Sequence, residues 1–269
     1  MSEKGSVRFT HRQLPDGELK LRAYIQQVEQ ELLGAIPDAK WQLTTPVGGE
    51  VLSWFSRVRS LFSGIRLLLE AGFPEEAMIL ARSLFEASLR FELLAAEDEV
   101  GRERLVLGEV NAGLAKAISI FDAQKVALGL GEGLSLEQQG AIHGRRDQIA
   151  RRQKRLALGK LARFPDAKSL ARRFGRLEEY LAFLLAHETT HGSHLAQATR
   201  SKYPASDTIA VYHSNFDLAM LTGVGTFSAL AALRALEAVQ TIFGFAATRT
   251  ADLIDEANRL GEFGAAGTE

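Results

Sequence analysis

The 269-residue chain contains no cysteine. That excludes disulfides and every metal site built on thiolates. Tryptophan is limited to Trp41 and Trp54, too few for an extended base-stacking platform. Strand-like alternation is missing apart from the short run Thr208-Ile209-Ala210-Val211, so no sheet is expected. The opening MSEKGSVRFTHRQ has no apolar segment of the kind a signal peptide needs, and none is expected there. One uncharged run, Leu218 to Leu233, is short for a membrane span. Thr222, Gly223, Gly225, Thr226 and Ser228 interrupt it, and it reads as a buried helix. The paired glycines there would either let helices approach closely or break one. There is no internal repeat, no linker and no GxSxG elbow. The GLGEGLS at 129–135 lacks the lysine and the preceding strand of a phosphate-binding loop and reads as a helix-breaking turn.

What the chain does have is helical periodicity. Its composition, 46% hydrophobic and 24% charged, is ordinary for a globular chain with a sizeable core. Val51, Trp54, Phe55, Val58, Phe62, Ile65 and Leu69 repeat as one helical stripe. Gly72 suits a helix C-cap and Pro74 the first turn of the next helix, which predicts an antiparallel hairpin. Helices are expected over about 18–33, 51–70, 75–97, 100–128, 136–163 and 167–195. A loop at 199–212 and a long helix or broken pair over 214–260 complete the pattern. The expected fold is all-α, a bundle of about seven helices in one domain over 17–262. Residues 1–16 read as irregular and 263–269 as a flexible tail.

Charge is unevenly placed although the total is only −1. Between His143 and Arg176 twelve basic residues face only Asp147 and Asp166, a local balance of +10. Clustered arginines and lysines can neutralise phosphates and release counterions. The alternative is a solvated face paired with acidic residues elsewhere in the fold. Arg145, Arg146, Arg151, Arg152, Lys154 and Arg155 are the candidate nucleic-acid contacts. Replacing Arg151, Arg152 and Arg155 together is expected to leave folding intact, because exposed charges contribute little to stability.

HETTHGSH at 187–194 matches the zinc-binding HExxH pattern through His187, Glu188 and His191. On a helix His187, His191 and His194 share one face, which continues through Leu184 and Tyr180. Two of these histidines could hold zinc while Glu188 activates its water. Against this, zincins pair the motif helix with a sheet. The positions where a longer metzincin motif needs glycine and histidine carry His194 and Gln197. Hydrogen-bonded histidines near a helix end are the plainer reading. On the third helix Arg82 and Glu86 are one turn apart, with Ile79, Leu89 and Leu93 on their stripe. A charged pair among apolar neighbours is either a structural ion pair or functional. In the functional case Glu86 orients His191 and Arg82 holds a phosphate or a developing anion.

LARSLFEASLRFELL, followed about a hundred residues later by YLAFLLAHETTHGS, resembles a family of uncharacterised bacterial helical proteins. Those carry an Arg-x-x-x-Glu helix and a later Tyr plus His-Gly/Pro-Ser element, and the likeness covers about 50–240. The resemblance implies Arg82, Glu86, Tyr180, His191 and Ser193 as the family-like positions; His187 and His194 fall outside it. That family is distantly similar in architecture to HEPN proteins, bundles that include ribonucleases of defence and toxin systems. The HEPN spacing, Arg followed by His after four to six residues, is missing here, so Arg and His would have to converge from two helices. The expected function is therefore a bacterial, cytoplasmic stress or defence protein acting on nucleic acid, with ribonuclease as its chemistry. Arg82, Glu86, Tyr180 and His191 are its candidate catalytic residues, in a polar cluster between the third and sixth helices. The alternatives are a metal-binding hydrolase using His187, His191 and His194 with zinc or another divalent metal, and a non-catalytic interaction protein. Expected partners are RNA or DNA, or an anionic protein, with no membrane; a homo-oligomer fits the same reading. No cofactor is expected outside the metal alternative.

Overall fold

The computed structural model describes residues 16–35, 47–128, 135–181, 184, 218–245 and 249–266. All regular structure among them is α-helical. The helices are α1 (Asp16–Gly34), α2 (Gly48–Glu70), α3 (Pro74–Ala96), α4 (Glu99–Leu128), α5 (Leu136–Arg155), α6 (Ala167–Arg173), α7 (Leu218–Phe243) and α8 (Thr250–Ala266). Residues 177–181 form a further helical stretch. α8 runs to Ala266, into the stretch that the sequence reads as tail.

α7 forms the centre and packs most extensively on α3, then on α8, α2 and α1. Ala229, Ala231, Ala232, Leu233, Ala235 and Leu236 are all fully buried. A helix that is apolar on every side belongs in a core, which accounts for the uncharged run. No helix among the described residues is long and apolar enough to cross a membrane. The expected α2 stripe is buried at Val51, Phe55, Val58, Phe62, Ile65 and Leu69. A Cβ on Gly225 would come within 3.1 Å of Ile25 and 3.2 Å of Leu21. This glycine sets the approach of α1 to α7 and does not break the helix. Tyr24, fully buried on α1, donates its hydroxyl to the Leu253 carbonyl of α8 at 2.9 Å.

Helix breaks follow backbone chemistry. Gly72 takes φ 83° and the Phe73 amide donates back to the Leu68 carbonyl at 2.8 Å, closing α2 before Pro74 opens α3. α7 ends at Phe243, with Gly244 at φ 71°, and α8 starts at Thr250, so the described residues of this region form a broken pair. Two expected helices are shorter than their periodicity predicts. The 136–163 helix stops at Arg155, where Ala157 and Gly159 both have positive φ. The 167–195 helix breaks after Arg173 at Gly175, φ 69°. Basic residues with good helix propensity continue across both sites, which hides the breaks.

The segment after α5 then lies against α4. Ala162 donates its amide to the Arg104 carbonyl at 3.2 Å, and Arg104 reaches the Lys160 carbonyl. Gly108 permits this approach: a Cβ there would sit 1.8 Å from the Ala162 oxygen. α5 itself packs on α4 and buries Ile149 alone. A reciprocal capping box between Ser135 and Gln138 starts it.

Candidate functional site

α5 carries the basic face. Arg145, Arg151, Arg152 and Arg155 border one crevice of about 290 Å³, together with Glu50 of α2 and the apolar side chains Leu107 and Ile149. On α5 these arginines recur at helical spacing, so one face presents them together. Two are fixed by acids. Arg145 pairs with Glu50, and Arg152 donates from Nε to Glu103 at 2.9 Å. Glu103 is 3% exposed, so Arg152 neutralises a buried carboxylate and its removal would strand that charge. Arg152 is therefore unsuited to a charge-removal test, contrary to the expectation that all three arginines can be replaced harmlessly. Arg151 and Arg155 are exposed, with no ion pair among the described residues. Arg146 reaches Asn111 at 3.4 Å, and Lys154 is exposed.

The twelve basic residues divide in two. Arg145, Arg152, Arg173 and Arg176 pair with acids inside the fold. The other eight have no ion pair among the described residues. Asp166, one of the two acids in this stretch, caps α6: it accepts from the Ser169 amide at 2.9 Å, and these bonds hold its carboxyl below the ordinary range. The uncompensated positive charge therefore persists in the folded molecule.

Arg82 and Glu86 pair at 3.2 Å across one turn of α3, each about a third exposed. Their stripe begins at the surface, where Ile79 is 53% exposed, and enters the core at Leu89 and Leu93. α4 and α6 both pack on α3. Tyr180 lies on the 177–181 stretch, half-buried against the core. No hydrogen bond or ion pair joins it to Arg82 or Glu86 among the described residues. His187, His191, Ser193 and His194 lie outside the described residues. No group of three His, Asp or Glu able to hold a metal occurs among those described.

A buried polar cluster does join α3 to the 176–180 segment, but farther along α3 than Arg82 and Glu86. Arg176 is 5% exposed, with its guanidinium 4.7 Å over the Phe85 ring. It donates to Ser88 at 3.2 Å, to Glu92, and from Nε to Glu179 at 3.0 Å. Arg234 of α7 donates to the other Glu179 oxygen at 2.9 Å. Two cations and two carboxylates balance here. Burial pushes the Glu92 carboxyl up, against the pull of Arg176 and Arg234. Burial would also raise Glu179, but bonds and charge from Arg176 and Arg234 outweigh it and hold that carboxyl below its ordinary range. Arg176 thus leaves the basic face in which charge counting placed it. The signal in the sequence was Glu92 itself, a lone charge set among Phe91, Leu93 and Leu94, all of them buried.

Residues 51–201 match a protein family described as a family of unknown function, DUF5677. The match takes in α2 from Val51, α3 to α6, the arginines of the basic face, the Arg82–Glu86 pair, and Glu92, Arg176 and Glu179. No curated protein matches the chain, and no solved structure does.

Proposed function

The chain belongs to that family of unknown function, and we propose that it binds nucleic acid through the basic face of α5. The observation that carries this reading is the convergence of Arg145, Arg151, Arg152 and Arg155 on one crevice, with Arg151 and Arg155 free of acidic partners among the described residues. Glu50 and Glu103 fix two of the guanidiniums in place. The two unpaired ones are left for phosphate oxygens, which the planar guanidinium fork can bind bidentately. The eight unpaired basic residues add a long-range field that steers polyanions.

The wider proposal is a bacterial, cytoplasmic stress or defence protein, distantly HEPN-like, whose chemistry is RNA cleavage. Arg82, Glu86, Tyr180 and His191 would then act on the strand held by α5. The resemblance of the Arg82-to-Glu86 and Tyr180-to-Ser193 elements supports that part. The test separates encounter from chemistry. His191→Ala is expected to leave RNA binding near normal and to abolish cleavage of a labelled RNA. Unchanged cleavage would remove His191 from the chemistry, and a wild-type chain that retains RNA without cleaving it would remove the ribonuclease reading and leave binding standing. Elemental analysis is expected to find no stoichiometric zinc. About one zinc per chain, lost in His187→Ala and His191→Ala, would replace this proposal with the metal-dependent hydrolase.

A further inference from the structure

A second crevice of about 350 Å³ lies between α2, α3 and α4, beside the basic one. Glu50 of the basic crevice and Trp54 of this one are one turn apart on α2, and Leu107 and Glu109 of α4 border the two in turn. Its wall and floor are apolar: Trp54, Ala87, Phe91 and Leu94. Trp54 is held edge-to-face against Phe164 at 5.9 Å, and the Arg90 guanidinium lies over the Phe164 ring at 5.5 Å. Its mouth is polar, with Arg57, Ser83, Glu86 and Glu109. Arg90 and Glu109 form a loose pair at 3.6 Å. Glu86 uses Oε1 for Arg82. Arg57 is exposed and has no ion pair among the described residues.

These features fit one kind of guest. The volume sits at the lower end of the range for small-molecule sites, about 300–1,000 Å³. An aromatic wall stacks a flat ring whatever its substituents. A carboxylate and a hydroxyl at the mouth match the N–H edge of a heteroaromatic ring, and an unpaired guanidinium beside them matches a phosphate. An aliphatic chain would make no use of the polar groups at the mouth. We infer that this crevice is a nucleobase pocket, with Trp54 as the stacking wall, Glu86 and Ser83 reading the base edge and Arg57 meeting the adjoining phosphate. The base comes either from a free nucleotide or from an unpaired position in a strand lying on α5. The second source rests on the proposed nucleic-acid function; the first does not.

The test uses the full chain with Trp41→Phe, which leaves Trp54 as the sole tryptophan. Its fluorescence is followed while guanosine 5′-monophosphate, a single-stranded oligoribonucleotide or the corresponding duplex is added. Saturable quenching by the strand and not by the duplex is expected. In a chain retaining Trp41, Trp54→Ala should weaken single-strand binding roughly ten- to hundredfold, with the salt dependence unchanged and duplex binding unaffected. Trp54→Phe should restore most of the loss, which separates stacking from folding. Quenching by the mononucleotide without retention of any RNA keeps the pocket and removes the nucleic-acid function. RNA retention with no Trp54 quenching by any probe removes the pocket and keeps the function. Single-strand affinity unchanged in Trp54→Ala would equally overturn the pocket.

Discussion

Arg176 is buried against α3 with Glu92 and Glu179 on its guanidinium, whereas Arg155, from the same basic stretch, stands exposed on α5 without an acidic partner among the described residues. One type of side chain serves two purposes. In the first setting it neutralises carboxylates that burial would otherwise make costly. In the second its charge remains available to a partner. Neighbouring acids in the fold decide which setting an arginine takes, and for Arg176 these come from α3 and the 177–181 stretch. A local charge count cannot separate the two.

Substitutions should separate them in order of size. Arg176→Ala leaves Glu92 and Glu179 with a missing partner inside the bundle and should cost about 3–5 kcal/mol in a denaturant titration. A cost under about 1 kcal/mol would mean the cluster is solvated and no different from α5. Glu179→Gln should cost about 1.5–3 kcal/mol and Glu92→Gln about 1 kcal/mol. Two arginines hold the Glu179 charge, whereas burial already disfavours that of Glu92. The pH dependence follows the same division. Glu179 has a lowered carboxyl, so its stabilisation is complete above the unfolded value of about 4.3 and is lost as pH falls through its lower folded value. Glu92, raised, acts oppositely: the cost of its ionisation is relieved as pH falls through its raised value. Thermal melts of Glu179→Gln should therefore lose less stability in acid than the wild type. An equally steep acid loss would assign it to other groups.

Gly108→Ala tests what ties the α5 region to the bundle. Its Cβ would meet the Ala162 carbonyl, so the segment after α5 must shift, at about 1–3 kcal/mol for overpacking. Weakened nucleic-acid binding should accompany the lower melting temperature, since the same segment anchors the end of the basic helix. Normal binding in the destabilised variant would show that α5 holds its face independently of this packing. Smallest of all, Arg151→Gln with Arg155→Gln should change stability by less than about 0.5 kcal/mol, which circular dichroism melts would check.

The fold was legible to the extent that apolar spacing recorded it. The α2 stripe, the Gly72–Pro74 junction and the buried α7 follow from periodicity and backbone chemistry alone. The ends of α5 and α6 did not, because Ala157, Gly159 and Gly175 break helices within stretches whose neighbours favour them. At the site, the basic face of α5 was readable from charge and spacing. The buried cluster was not: Arg176 and Glu179 are three residues apart, but Glu92 and Arg234 are far from them in sequence and only packing brings all four together. Arg82 and Glu86 pair with each other as their spacing implies. Each is about a third exposed, and exposure is set by the neighbouring helices, which a stripe on one helix does not contain.

The most direct measurement of the central claim is retention of labelled RNA and DNA across a salt series by the wild-type chain and by Arg151→Gln/Arg155→Gln. If α5 binds phosphates through those guanidiniums, wild-type affinity falls steeply with salt. The variant's logarithmic slope is then shallower by about 1–2, near one unit for each phosphate that the protein no longer neutralises. No retention of either polymer at low salt, or an identical slope in the variant, would contradict the claim and leave the basic face of α5 a solvated surface.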